Sequence, residues 1–301
     1  MEPIIVIVGF LGAGKTTLLK KLVEDTVKKN WQPYILLNDY ENARLDAQQF
    51  MDVVDPELVS ALSGSCICCS GLPELRRQVN SIPKRNNPIT FIEANGTTDA
   101  CALLGFLGVG LKSSFSPPIQ ISVVDTRNWQ RREFHNELEA NQIQVSSLIV
   151  LNHSESVSPE RLETVKQGIA EFNPFAKIVQ WDDVTTDLIN SLKPSESKHQ
   201  PMKHGATHWS SCSVDLDDPT SSAHILNIIK DLPKGILRVK ACTRLDEDEH
   251  YSFIEKIPSG ETTVRPYRGT LVSGPKLLTI GPGSDPEFLK ELVRSSSKSA
   301  E

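Results

Sequence analysis

Gly9-Phe10-Leu11-Gly12-Ala13-Gly14-Lys15-Thr16-Thr17 follows the apolar run Ile4–Val8 and precedes an amphipathic stretch at 17–27. A glycine-rich turn between a buried strand and a helix is the setting of a phosphate-binding P-loop. Its glycines let backbone N–H groups turn inward around a polyphosphate, Lys15 brings a point charge to the β and γ phosphates, and Thr16 offers a hydroxyl to magnesium. Gly9, Gly12, Ala13, Gly14, Lys15, Thr16 and Thr17 are thus the expected phosphate-binding residues, with Lys15 and Thr16 also acting in catalysis. The alternative, a glycine turn followed by Lys-Thr through chance, is disfavoured by that setting.

Working outward, short apolar runs at 34–37, 90–92, 119–124, 147–151 and 177–179 alternate with helical patterns at 17–29, 72–81 and 159–172. This is the rhythm of βα units around a mostly parallel sheet. In the last of those helices Leu162, Val165 and Ile169 keep one face, and Ser158-Pro159 supplies a cap and a first-turn proline. The stretch 193–206 is polar, proline-containing and aperiodic, and reads as a linker. Beyond it, strand-like runs at 209–214, 236–243, 251–257 and 276–280 flank helical patterns at 221–232 and 285–293, which suggests a small α+β domain. The expected division is a nucleotide domain over 1–192, a linker over 193–206, a second domain over 207–295 and a frayed serine-rich tail over 296–301.

A net charge of −6 argues against a nucleic-acid partner. The apolar run before the P-loop is only a strand long, too short for a signal peptide or a membrane span, so the expectation is a cytoplasmic protein with no membrane partner. Six cysteines without a secretory signal point to metal binding or redox chemistry rather than to a disulfide framework. Cys66, Cys68 and Cys69 stand within four residues, where three thiolates can converge on one soft or borderline ion and leave a position open for exchange. Vicinal thiols can also oxidise, so a redox role stays open. Cys101, Cys212 and Cys242 are scattered and read as small buried hydrophobes. His199, His204 and His208 beside the linker are either auxiliary ligands or plain surface residues.

Two further elements bear on the nucleotide. Glu93 ends a buried strand, where open α/β sheets bind ligands, and can hold a magnesium-bound water or orient an attacking one; Gly96 would let the backbone approach the γ-phosphate. The alternative is a solvated carboxylate at a strand end. After the strand at 147–151 comes Asn152-His153-Ser154-Glu155, where guanine-binding proteins carry Asn-Lys-x-Asp. An acidic side chain there accepts from the guanine N1–H and exocyclic amine, which adenine does not present. His153 cannot reproduce the long lysine stem that packs along the loop and sugar.

The P-loop, the Cys-x-Cys-Cys run, Glu93-x-x-Gly96 and the Asn152-x-x-Glu155 turn together resemble the CobW-like family of P-loop GTPases, which includes zinc-regulated metallochaperones and nitrile hydratase activators. The likeness extends to Leu-Pro-Lys-Gly-Ile-Leu-Arg-Val-Lys at 232–240, similar to the opening of the family's C-terminal domain. It implies a GTPase that uses GTP and magnesium, binds zinc, cobalt or iron at Cys66, Cys68 and Cys69, and delivers it to a client metalloprotein; a homodimer is left open. Asn38-Asp39-Tyr40-Glu41-Asn42 resembles the family's Asn-Glu-Phe-Gly-Glu, which adds Asp39 and Glu41 as acidic candidates for the metal, with Asn42 standing where the second glutamate falls. Three departures stand out: Ser65 is inserted after Gly64, the base motif is Asn-His-Ser-Glu, and the linker lacks a long histidine tract. A P-loop kinase acting on a small molecule with ATP, and a non-catalytic metal sensor, are the competing readings.

Overall fold

The computed structural model describes residues 1–38, 50, 52–61, 72–195, 211–233, 235–236, 238–246, 248–257, 260–267, 274–281 and 284–297. The chain divides into two compact units, 1–207 and 208–301. The linker expected over 193–206 lies, from 196 onward, outside the described residues.

In the first unit, β1 (Ile4–Val8), β2 (Gln32–Leu37), β3 (Val59–Ala61), β4 (Pro88–Glu93), β5 (Ile119–Asp125), β6 (Leu148–Asn152) and β7 (Lys177–Gln180) form one sheet in the order β3-β2-β4-β1-β5-β6-β7. Every pairing is parallel. Parallel neighbours need crossover connections; helices α1 (Lys15–Lys28), α2 (Leu72–Ser81), α3 (Ala100–Leu107), α4 (Asn136–Gln144) and α5 (Pro159–Phe172) each lie in one, and α6 (Thr186–Ser191) follows β7. Both faces of the sheet are therefore covered, which is why the strands read as unbroken apolar runs. One face (Ile5, Ile7, Ile35, Phe91, Ile121, Val150) packs on Leu18, Leu19, Leu22 and Val23 of α1, each of them fully buried and worth about 2 kcal/mol. The opposite face packs Val6, Val8 and Ile92 on α2 and α3, and Ile149 and Leu151 on α4 and α5.

Because all strands run the same way, the segments leaving β1, β2, β3, β4 and β6 at their C-terminal ends emerge from one edge of the sheet. The order reverses beside β1, since β4 lies on one side and β5 on the other. That switch point is where the P-loop sits.

In the second unit, β8 (Ser211–Asp215), β9 (Arg238–Arg244), β10 (Tyr251–Lys256), β11 (Thr262–Tyr267) and β12 (Lys276–Ile280) form an antiparallel sheet in the order β11-β10-β9-β12-β8. Helices α7 (Ser222–Asp231) and α8 (Pro286–Ser297) cover one face through Ile225, Ile228, Ile229, Leu289 and Val293. Helix α8 runs to Ser297, and the Ser295 hydroxyl donates to the Leu292 carbonyl at 3.1 Å, which satisfies a helix-end acceptor; the tail expected over 296–301 lies, from 298 onward, outside the described residues.

Candidate nucleotide site

Helix α1 starts without a side-chain cap and without an acidic residue in its first turn, so its first N–H groups face the P-loop with their positive potential uncancelled. Gly14 caps it in a left-handed conformation, φ 104°, and a Cβ there would lie 2.5 Å from Asn152 Nδ2. Only glycine fits on both counts. Lys15 is 5% exposed, and its ammonium donates to the carbonyls of Gly9 at 3.0 Å and Phe10 at 3.4 Å, which holds it over the loop. Thr17 is exposed.

Two residues far apart in sequence meet here. The Thr16 hydroxyl donates to Glu93 Oε1 at 2.7 Å, which joins the P-loop helix to the C-terminal end of β4. A hydroxyl oxygen and a carboxylate oxygen at one point are a hard donor pair of the kind magnesium takes alongside phosphate oxygens. Behind Glu93 the backbone turns against the P-loop: a Cβ on Gly96 would lie 2.5 to 2.9 Å from Leu11, so glycine is required for that approach. The close neighbour that the structure gives Gly96 is thus the P-loop itself.

Sequence reading did not find what holds this turn. Asn95, Thr97, Thr98 and Asp99 are all buried, and the Gln142 amide from α4 donates to the carbonyls of Gly96 at 3.0 Å and Thr98 at 3.3 Å. Asn141 Nδ2 donates to Asp99 Oδ1 at 3.1 Å. Buried amides on α4 carry no hydrophobic period, so their role had no sequence signal. A second support lies past β5. The Arg132 guanidinium stacks over the Phe10 ring at 4.4 Å and donates from Nε to Glu139 Oε1 at 2.7 Å. Burial pushes the Glu139 carboxyl up despite Arg132, whereas at Asp125 burial is outweighed by Arg127 and Asn128, which hold its carboxyl low. Burial and the Arg132 charge push His135, 5.8 Å from the Phe10 ring, below the usual imidazole range. These charges are spent on one another, which ties the P-loop aromatic to α4.

The turn at 152–155 lies on the other flank. Asn152 Nδ2 donates to the Ala13 carbonyl at 2.9 Å, and its Oδ1 accepts from the His153 N–H at 2.9 Å, which sets His153 left-handed at φ 59°. Asn152 therefore fastens this turn to the P-loop. Glu155 is 74% exposed and stands 3.9 Å from His153 Nδ1. Both line a cleft of about 500 Å³ with Ser154, Leu162, Gln180, Trp181 and Asp182. Trp181 was missed from sequence; its only signal is its position just past the last parallel strand.

Cys66, Cys68 and Cys69, with Asp39 and Glu41, lie outside the described residues, as do His199, His204 and His208. Among the described residues no group of three His, Cys, Asp or Glu side chains is placed to hold a metal ion. Of the scattered cysteines, Cys101 and Cys242 are buried, and burial pushes both thiols up to about 12, so they are inert; Cys212 is half-buried. Among the described residues no helix is long and apolar enough to cross a membrane.

A seven-stranded parallel sheet with a glycine loop at its switch point, a lysine over that loop and a threonine facing a strand-end glutamate defines a P-loop nucleotide-binding domain. The family model of the CobW/HypB/UreG nucleotide-binding domain matches residues 3–180, and the chain belongs to that family. The zinc-regulated GTPase metalloprotein activator 1 of Schizosaccharomyces pombe is 30% identical over 190 residues, which cover 59% of this chain and 45% of that protein. The zinc chaperone CobW of Pseudomonas aeruginosa is 25% identical over 211 residues, covering 59% of this chain and 56% of that protein. The chain spans about half the length of the curated relatives it matches. Zn(II)-bound YjiA GTPase from E. coli aligns with a TM-score of 0.43 at 16% identity, over 98% of this chain and 99% of that chain.

Proposed function

We propose that this protein is a slow GTP hydrolase that holds a transition-metal ion, zinc in the first place, at Cys66, Cys68 and Cys69, and passes it to a client metalloprotein. The observation that carries the reading is the Thr16–Glu93 contact of 2.7 Å beside an uncapped helix start, because it makes the strand-end carboxylate part of the phosphate site. The names of the two relatives, a zinc-regulated GTPase activator and a zinc chaperone, support the metal.

In this account the triphosphate lies on the first N–H groups of α1, with Lys15 as its point charge. Gly9, Gly12, Ala13, Gly14 and Thr17 line its path, and Gly96 meets its γ end. Thr16 and Glu93 would hold magnesium, which would supply positive charge against the charge that develops on the phosphate oxygens. Glu93 also orients the attacking water. Arg127 and Arg132 are engaged by Asp125 and Glu139, so neither is held ready for the γ-phosphate, and intrinsic turnover is expected at about 10⁻² per second or slower.

The metal enters through topology. Asp39 and Glu41 follow Asn38, which donates its N–H to the Glu93 carbonyl at 3.0 Å, and the cysteine run lies between Ala61 at the end of β3 and Leu72 at the start of α2. Both segments depart from the sheet edge that carries the nucleotide. A change at the γ-phosphate can therefore reach both, and nucleotide state can change the hold on the metal. Three thiolates suit zinc and leave a position through which a client can take the ion.

Base choice provides the test. Glu155 accepts from the guanine edge while Asn152 keeps the turn on the P-loop. Glu155→Ala is expected to lower the preference for GTP over ATP by about tenfold, the low end for a charged hydrogen-bond acceptor because the side chain is largely exposed. Steady-state phosphate release with each nucleotide measures this. Equal turnover of ATP and GTP by the unaltered protein, or transfer of the γ-phosphate to a small-molecule acceptor, would overturn the assignment in favour of a kinase.

A further inference from the structure

The cleft beside the base-reading turn has one large ring in its wall. Trp181 opens the turn after β7, half-buried, with its ring packed against the core face that includes α1. Its Cζ3 lies 3.5 Å from where a Cβ on Gly14 would stand, so the indole borders the end of the phosphate cradle. The turn is held from the P-loop helix itself, since Lys21 Nζ donates to the Trp181 carbonyl at 2.7 Å and to the Asp182 carbonyl at 3.4 Å. Leu162 and Trp181 are the two apolar side chains lining the cleft, while Asn152, Ser154, Glu155, Gln180 and Asp182 supply polar edges.

We propose that the Trp181 indole is the face on which the purine of the bound nucleotide stacks. A purine whose edge is read by a carboxylate still needs its faces covered, because most of its surface is aromatic. His153, which stands where the Asn-Lys-x-Asp turn has its lysine, adopts a left-handed backbone and turns toward Asn152, 3.4 Å from Nδ2 to Nε2. Trp181, carried on the neighbouring strand end and fastened to α1, offers a larger face between the same cradle and the same carboxylate. Stacking is indifferent to the purine's edge, so it contributes to GTP, GDP, ATP and ADP alike, and Glu155 does the choosing. The inference rests on the proposal that this domain binds guanine nucleotides.

The test follows GDP and ADP binding by calorimetry and by tryptophan emission, with inorganic tripolyphosphate as a probe of the cradle alone. GDP is expected to quench emission of the unaltered protein. Trp181→Phe should bind GDP within about threefold of it and lose most of the quench, because a smaller ring still stacks. Trp181→Ala should weaken GDP and ADP by a common factor of about tenfold or more, with tripolyphosphate unchanged. A quench that survives in Trp181→Phe, a Trp181→Ala protein that binds GDP normally, or a loss confined to GDP would each overturn the stacking role. An unaltered protein that binds GDP with these signatures but hydrolyses no GTP would defeat the hydrolase proposal and leave Trp181 in place; one that binds no nucleotide would defeat both.

Discussion

Lys15→Ala is expected to lower GTP turnover at least a hundredfold while the protein keeps its fold. Lys15 is 5% exposed and its ammonium is held over the loop by the Gly9 and Phe10 carbonyls, where the proposed function puts the charge that builds on the leaving phosphates. In that enclosed position a point charge acts with little screening, and truncation removes it from the transition state as well as from the ground state. Folding is less affected, because the Phe10 carbonyl keeps the Ala13 N–H at 3.1 Å and α1 keeps its four buried apolar side chains. Phosphate release and thermal unfolding measured on the same sample check both halves. Turnover within threefold of the unaltered protein would place the phosphates elsewhere.

The second large effect is on the metal. Replacing Cys66, Cys68 and Cys69 with serine is expected to weaken zinc at least about a hundredfold, because a neutral hydroxyl replaces each thiolate at a borderline ion. Neither Cys101 nor Cys242 can take over, since burial holds both as neutral thiols. The fold should be retained, because among the described residues the sheet is already held to its helices by extensive apolar clusters. Competition with a chromogenic chelator gives the affinity and circular dichroism the fold. Stoichiometric zinc in the serine variant would move the site away from these sulfurs.

Much of the architecture was open to sequence reading because a parallel sheet covered on both faces writes itself as apolar runs, and the expected strands at 4–8, 90–92, 119–124 and 177–179 all fall within observed ones. Helices with one wet face were equally plain, as in Pro159–Phe172 with its Ser158 cap. The elements that escaped share a physical cause. Ala100–Leu107 is apolar nearly all round, so it has no period to detect, and Asn136–Gln144 buries Asn141 and Gln142 as hydrogen-bond donors, the reverse of an amphipathic pattern. Thr262–Tyr267 contains Pro266, which weakens a strand reading; the strand survives because it lies at the sheet's edge. Val59–Ala61, a three-residue edge strand, was too short to register.

The site divides the same way. Contiguous motifs announced the phosphate loop, the carboxylate at Glu93 and the turn at Asn152, since each needs its residues at fixed local spacing. What joins them is nonlocal. Nothing in sequence pairs Thr16 with Glu93 across 77 positions, brings Gln142 to Gly96 across 46, or sets Trp181 against Gly14. Those contacts, with the Asn152 amide on the Ala13 carbonyl, make three separate motifs one assembly.

The central claim, that nucleotide state governs the hold on the metal, is tested most directly by zinc affinity measured with a non-hydrolysable GTP analogue and magnesium, with GDP, and with no nucleotide. Linkage requires that whatever factor the analogue imposes on zinc, zinc imposes on the analogue. The expected result is a difference of about fivefold or more between the analogue and GDP, matched by the same factor when analogue affinity is measured with and without zinc. Identical zinc affinity in all three states would contradict the account.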